Sequence, residues 1–168
     1  MSMHMRFSPL LALLLLLLAA CGATETIEYK SGPITLTAEG PLFAGSNTAQ
    51  GTWEPDLAAL LDRIGAKPGQ LRSARIVEAT LSGDLTGVRG VVLQLASDNL
   101  DMGSVAVLNP LPEGRNDVAL QVANEQRNTA AYLKEKSVTV VADLDLNADS
   151  DEDRHVIGSF TIELNLRK

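Results

Sequence analysis

The sequence predicts a mainly β fold, a two-layer antiparallel β-sandwich of about seven strands with one or two short helices. Three observations carry that reading. Late in the chain, apolar and polar residues alternate with period two over two long stretches. Upstream, short apolar runs are separated by Gly and Pro. Only one segment has well-defined helical spacing.

The alternation is the strongest of these signals. Val138, Val140, Ala142, Leu144 and Leu146 interleave with Thr139, Val141, Asp143 and Asp145. Val156, Gly158, Phe160, Ile162, Leu164 and Leu166 interleave with Ile157, Ser159, Thr161, Glu163 and Asn165. A strand points successive side chains to opposite faces, so each stretch has one core face and one solvent face. The polar segment Asn147–His155 between them predicts an antiparallel hairpin. Weaker runs of the same kind are Ile34–Ala38, Arg75–Leu81, Val88–Ala96, Val105–Leu108 and Val118–Ala123, with a further strand starting near Thr26. Gly83, Gly87, Gly103, Pro110, Pro112 and Gly114 punctuate them as turns require. Leu57, Leu60, Leu61 and Ile64 stand at i, i+3, i+4 and i+7, with Pro55 suited to the first helical position and Gly65 and Pro68 as a stop. A second, shorter helix is expected over Thr129–Glu135 with Asn128 as its cap. The competing architecture is a curved sheet wrapped around the Pro55–Ile64 helix.

The 168 residues fall into two unlike pieces. Fifteen of the first twenty residues are apolar, whereas the whole chain is 45% hydrophobic. Arg6 and the amino terminus give a short positive stretch, and Leu10–Ala20 an apolar core of eleven residues. A membrane-spanning helix needs about 20, so residues 1–20 read as an export signal. Leu18-Ala19-Ala20-Cys21 then resembles the lipobox of bacterial lipoproteins. That resemblance implies a thioether lipid on Cys21, cleavage just before it by the lipoprotein signal peptidase, and acylation of the new amino terminus. The alternative, an ordinary secretory signal, leaves Cys21 as an unpaired thiol on an exported protein. Residues 21–25 are expected to form the lipidated Cys and a short tether, and residues 26–168 a single β-rich domain. The strand-rich body, the Ala131-Tyr132-Leu133-Lys134 segment and the final alternating pair are similar to small, uncharacterised all-β envelope lipoproteins. That likeness implies a fold and no activity.

Charge and composition exclude several function classes. Beyond Ala20 the chain carries 13 basic and 21 acidic side chains, which argues against nucleic acid as a partner. Cys21 is the only cysteine, and His155 the only histidine past the leader. With Cys21 lipidated, no disulfide or free thiol remains, and a zinc site would depend on carboxylates. The acidic segment Asp143–Asp153 offers oxygen ligands at alternate positions, as a hard cation wants. An EF-hand loop starting at Asp145 fails, because Ser150 falls where Gly is needed and Val156 where a bidentate Glu belongs. A looser Ca²⁺ site would use Asp149, Asp151 and Asp153; the other reading is a solvated acidic hairpin tip. His155 has Ser150 and Ser159 near it in sequence, but Gly158-Ser159-Phe160 lies within a strand pattern and lacks the strand-to-helix turn of a nucleophile elbow. The glycine-spaced stretch Gly40–Gly51 lacks a phosphate-binding lysine. With Phe43 and Trp53 it reads as a loop whose aromatics either anchor the core or form a ligand lip.

The expected function is that of a lipid-anchored, non-enzymatic cell-envelope protein, a binding or structural module without cofactors. Its partners are the membrane, through Cys21, and an envelope protein or small ligand. Gly22 in place of Asp after the cysteine favours the outer membrane over the inner by the enterobacterial sorting pattern. A Ca²⁺-dependent adhesion or ligand-binding domain is the alternative, and a hydrolase involving His155 a more remote one.

Overall fold

The computed structural model describes residues 24–126 and 129–168. Nine strands follow one another as β1 (Thr24–Lys30), β2 (Ile34–Ala38), β3 (Gly45–Trp53), β4 (Leu71–Gly83), β5 (Val88–Ser97), β6 (Leu100–Leu108), β7 (Asp117–Val122), β8 (Val138–Leu146) and β9 (Arg154–Arg167). Two short helices, α1 (Leu57–Arg63) and α2 (Thr129–Tyr132), lie in the connections before β4 and β8.

The protein is mainly β, but the sheet closes into an eight-stranded barrel and is not a two-layer sandwich. The hydrogen-bonded order is β1-β9-β2-β3-β8-β5-β6-β7-β4, and β4 returns to pair with β9. β1 and β2 run end to end along one edge of β9, facing residues 161–167 and 154–158 respectively. Alternation specifies one buried and one wet face, which a sandwich layer and a barrel wall share. Its closure depends on pairings far apart in sequence.

The expected hairpin between the last two strands is also absent. β8 pairs with β3 and β5, and β9 with β1, β2 and β4, so β8 and β9 lie apart. Residues 147–153 are long enough to arch across the ends of β2 and β3, and both edges of each strand are already taken. β5, β6 and β7 form a meander, and β8 returns beside β5 in a Greek key.

Other strand boundaries lie near those expected, except that β3 falls in the stretch read as a loop and that β6 begins five residues before Val105, with Gly103, read as a turn, paired inside the strand opposite Leu95. Gly45-Ser-Asn-Thr-Ala-Gln-Gly-Thr-Trp53 has little β propensity, yet it pairs with β8 over nine consecutive residues. Its smallness is what the fold uses. A Cβ on Gly51 would run into the backbone carbonyl oxygen of Thr35 near the start of β2, so only glycine lets the two strands meet at this seam. α1 starts two residues after Pro55, with the Asp56 carboxylate capping it by accepting from the Ala59 N–H at 3.0 Å. α2 is shorter than expected, and its proposed cap, Asn128, lies outside the described residues.

Two ends of the barrel differ. At one end, here the closed end, lie α1, α2, the start of β1 and the end of β9, fixed by the pairs Trp53↔Val138, Leu71↔Leu166 and Thr24↔Arg167. Leu57, Leu60 and Leu61 of α1 and Tyr132 and Leu133 at α2 are buried there. The opposite, open end carries the loops 39–44, 84–87, 109–116 and 147–153, beside Gly45↔Leu146, Val88↔Leu146 and Ser82↔Asp117. Inward side chains of every strand fill the interior as one apolar core. Near the closed end Trp53 stacks on Tyr29 (centroids 6.5 Å apart) and tilts against Phe160 (6.1 Å).

Two substitutions probe this arrangement. Gly51→Ala forces β2 away from β3 and should cost about 2–3 kcal/mol in urea unfolding. Gly69→Ala, where an added Cβ meets nothing within 4 Å, should leave the midpoint unchanged or slightly raised. The Tyr132 hydroxyl donates within reach of two carbonyl oxygens, those of Leu95 (2.9 Å) and Asp101. Burial, then the nearby Asp101 charge, raises its pKa above the usual 10.0. The fold thus favours the neutral phenol, and stability from this group is intact below pH 10 and declines as pH rises toward the raised value. Tyr132→Phe should lower stability at pH 7 by about 1–2 kcal/mol and remove that part of the alkaline decline.

Candidate functional site

A cleft of about 700 Å³ lies at the open end. Leu85, Val88 and Leu111 form its apolar floor, Pro110 and Pro112 edge it, and the polar lining includes two acidic and two basic side chains, Glu113, Asp145, Arg89 and Arg115, beside Thr86, Asn109, Asn116 and Asn147. These residues come from three separated segments, so no sequence motif announces them.

Backbone bonds hold the cleft walls. The Leu111 N–H donates to the Arg89 carbonyl (2.6 Å), Asn147 to Gly87 (2.9 Å) and Gly83 to Asn116 (2.9 Å). From the start of β9, the well-buried Arg154 side chain donates to the carbonyls of Asp84 (3.2 Å) and Thr86 (2.6 Å). On the wall, the Arg89 guanidinium meets the Asp145 carboxylate at 2.6 Å. Both side chains are about half exposed, so this pair orients groups more than it stabilises the fold.

Two asparagines are seated against glycines. A Cβ on Gly87, whose φ is +70°, would come within 2.6 Å of the Asn147 Oδ1. One on Gly90 would come within 3.1 Å of the Asn109 Cγ. Both amides therefore lie close against bare backbone, on either side of Arg89.

Elsewhere in the molecule, carboxamides in this fold grip backbone. Past the end of β7, the Gln126 amide accepts from the Ile76 N–H (2.7 Å) and donates to the Ile76 carbonyl (2.6 Å). It does so at an irregularity where β4 shifts register against β9 between Ile76 and Glu78. At the open end the Asn47 amide does the same for Phe43, accepting from its N–H (3.0 Å) and donating to its carbonyl (2.6 Å).

The residues singled out from sequence fall in other places. The Asp149 carboxylate accepts from the Ala44 N–H (2.7 Å) and Asp153 from the Gly40 N–H (2.8 Å), while Leu42 and Ser150 exchange backbone bonds. The acidic arch is thus stapled to the 39–44 loop at both ends, with Asp151 exposed on it. Among the described residues no three His, Cys, Asp or Glu side chains are grouped to hold a metal ion. His155 is exposed on the outer wall, its Nδ1 3.0 Å from the Thr37 hydroxyl. Ser159 lies four residues further along the same extended strand, about 13 Å away, and its hydroxyl pairs with Thr80 at 2.7 Å. No nucleophile and base are brought together there. Phe43 is exposed at the open end and Trp53 buried near the closed end, so the two do not form one lip. Cys21 lies outside the described residues.

No family model matches the chain, and no curated protein matches it. A solved structure from Desmodium yellow mottle tymovirus is similar over 87% of this chain and 90% of that one, at 10% identity and a TM-score of 0.27. Among the described residues no helix is long and apolar enough to cross a membrane.

The staples predict that Asp149→Ala and Asp153→Ala each lower stability by about 1 kcal/mol, read by urea unfolding. Millimolar Ca²⁺ should leave the melting temperature of the unmodified protein unchanged; a ligand held only by the native state would raise it.

Proposed function

We propose that this chain is a lipid-anchored protein of the bacterial cell envelope, acting without catalysis as a binding module at the membrane surface. The observation that carries the reading is Leu18-Ala19-Ala20-Cys21 directly after an eleven-residue apolar core. One acyl chain binds a bilayer only marginally, whereas the two or three chains that the lipobox resemblance implies on Cys21 make a lasting anchor. Gly22 after the cysteine favours the outer membrane.

The direction of the barrel supports a binding role. Thr24, three residues past Cys21, pairs with Arg167 at the closed end, while the cleft opens at the other. The ten residues of β5 run between those ends, about 25 Å at about 3.3 Å per residue and a tilt near 40°. A lipid on Cys21 would hold the helix-capped end toward the bilayer and turn the cleft away from it. Glu39, Asp149, Asp151, Glu152 and Asp153 at the open end would also be repelled by anionic headgroups.

Cys21→Ser should abolish incorporation of a fatty-acid probe and shift the protein from the membrane to the soluble fraction. Continued labelling of the variant would overturn the anchor.

A further inference from the structure

We propose that the turn after α1 docks on the bilayer itself, with Ile64 among the lipid headgroups and Arg63, Lys67 and Arg167 on their phosphates. This rests on the lipid anchor proposed above and goes beyond it. An anchor fixes which end faces the membrane, not which side chains touch it.

Tether length sets the distance. Thr24 is three residues past Cys21, and three residues reach at most about 10 Å. Thr24 pairs with Arg167 at the closed end. Beside them a hollow lined by Glu25, Leu166, Arg167 and Ile64 joins the start of β1 and the end of β9 to the turn after α1. A lipid on Cys21 would therefore keep this corner of the barrel within about 10 Å of the lipidated residue.

The corner is apolar and basic. Leu57, Leu60 and Leu61 of α1 are buried, but Ile64, one turn on, is 43% exposed. Gly65, Pro68 and Gly69 are exposed after it, and a Cβ added at Gly65 or Gly69 would meet nothing within 4 Å. The turn thus stands clear of the barrel. Water satisfies an exposed polar group but not Ile64, which gains by entering the interface. Around it Arg63, Lys67, Arg72 and Arg167 are exposed and form no ion pair with a described residue, while Lys168 reaches Glu25 at 3.8 Å. Asp62 is the other carboxylate beside the turn, and higher on β1 Glu28 and Lys30 offset each other. Glu54 and Asp56 lie near the start of α1, Asp56 being about 10 Å from Arg63 along the axis.

The far side of the closed end has the opposite balance. There Asp98, Asp101, Glu125 and Glu135 outnumber Lys134 and Lys136. Basic groups attract anionic headgroups only within about a Debye length, roughly 10 Å at 0.1 M salt, and the tether keeps the basic side within that range. The barrel leans on the α1 side, with its acidic side lifted.

The test adds the full lipidated chain to preformed vesicles of phosphatidylethanolamine and phosphatidylglycerol. With the sulfur of Cys21 lipidated, Ile64→Cys supplies the only thiol for an environment-sensitive fluorophore. Phe43→Cys and Met102→Cys label two other exposed apolar positions, at the open end and on β6 across the barrel. Nitroxide-bearing lipids should quench position 64 roughly threefold more than either control. Replacing phosphatidylglycerol by phosphatidylcholine, or introducing Arg63→Gln/Lys67→Gln/Arg167→Gln, should reduce that quenching by about half with the melting temperature unchanged. Equal quenching at positions 64 and 102, or no loss in the triple variant, overturns the docking. So does a label at 64 that is shielded without being quenched, which a second copy of the chain would produce. A chain that floats with the vesicles without selective quenching keeps its anchor and loses only the docking. An unsubstituted chain that takes the label at Cys21 and stays off the vesicles overturns both.

Discussion

The ladder between β4 and β9 closes the barrel, and the other features depend on that closure. β9 uses both edges along most of its fourteen residues, taking β1 and β2 on one side and β4 on the other. Without the β4 side, the sheet would be an open curved layer with two unpaired edges, each a template for association with another chain. Closure also defines an inside. Phe160, Ile162 and Leu164 share one filled interior with Trp53 and Leu144 only because the sheet returns on itself. No disulfide contributes, so packing and ladder hydrogen bonds hold the domain together.

The second seam, between β2 and β3, shows how little tolerance closure leaves. One glycine makes room for the Thr35 carbonyl. Polar side chains finish what the strands leave open. Gln126 stands in for a strand partner at Ile76, Asn47 braces Phe43, and Asp149 and Asp153 hold the 39–44 loop. Those residues serve the fold.

Several elements were legible because their signals are local. β8 and β9 alternate so regularly that their buried faces match residue by residue, from Val138 to Leu146 and from Val156 to Leu166. α1 was legible from Leu57, Leu60 and Leu61, although its cap is Asp56. β3 was not, because its inward positions before Trp53 are Gly45, Asn47, Ala49 and Gly51, which lack the large apolar side chains that mark a strand. The acidic arch was legible as a polar connection but not in its role. Nothing in Asp149 or Asp153 says that its carboxylate will find an amide more than a hundred residues earlier. The cleft was invisible for the same reason, since its lining comes from three segments that only the fold brings together.

What the sequence determined by itself was periodicity, composition and the lipobox-like segment. These give a β-rich, acidic chain whose only cysteine stands at Cys21. Each is a property of neighbouring residues and needs no partner to be read. Only the tertiary structure decided that the sheet is a barrel, that β8 and β9 are separated, and that four loops far apart in sequence, the acidic arch among them, build one open end. Pairing order and closure are long-range choices. Period-two strands fit either a sandwich or a barrel until the edges of β4 and β9 find each other.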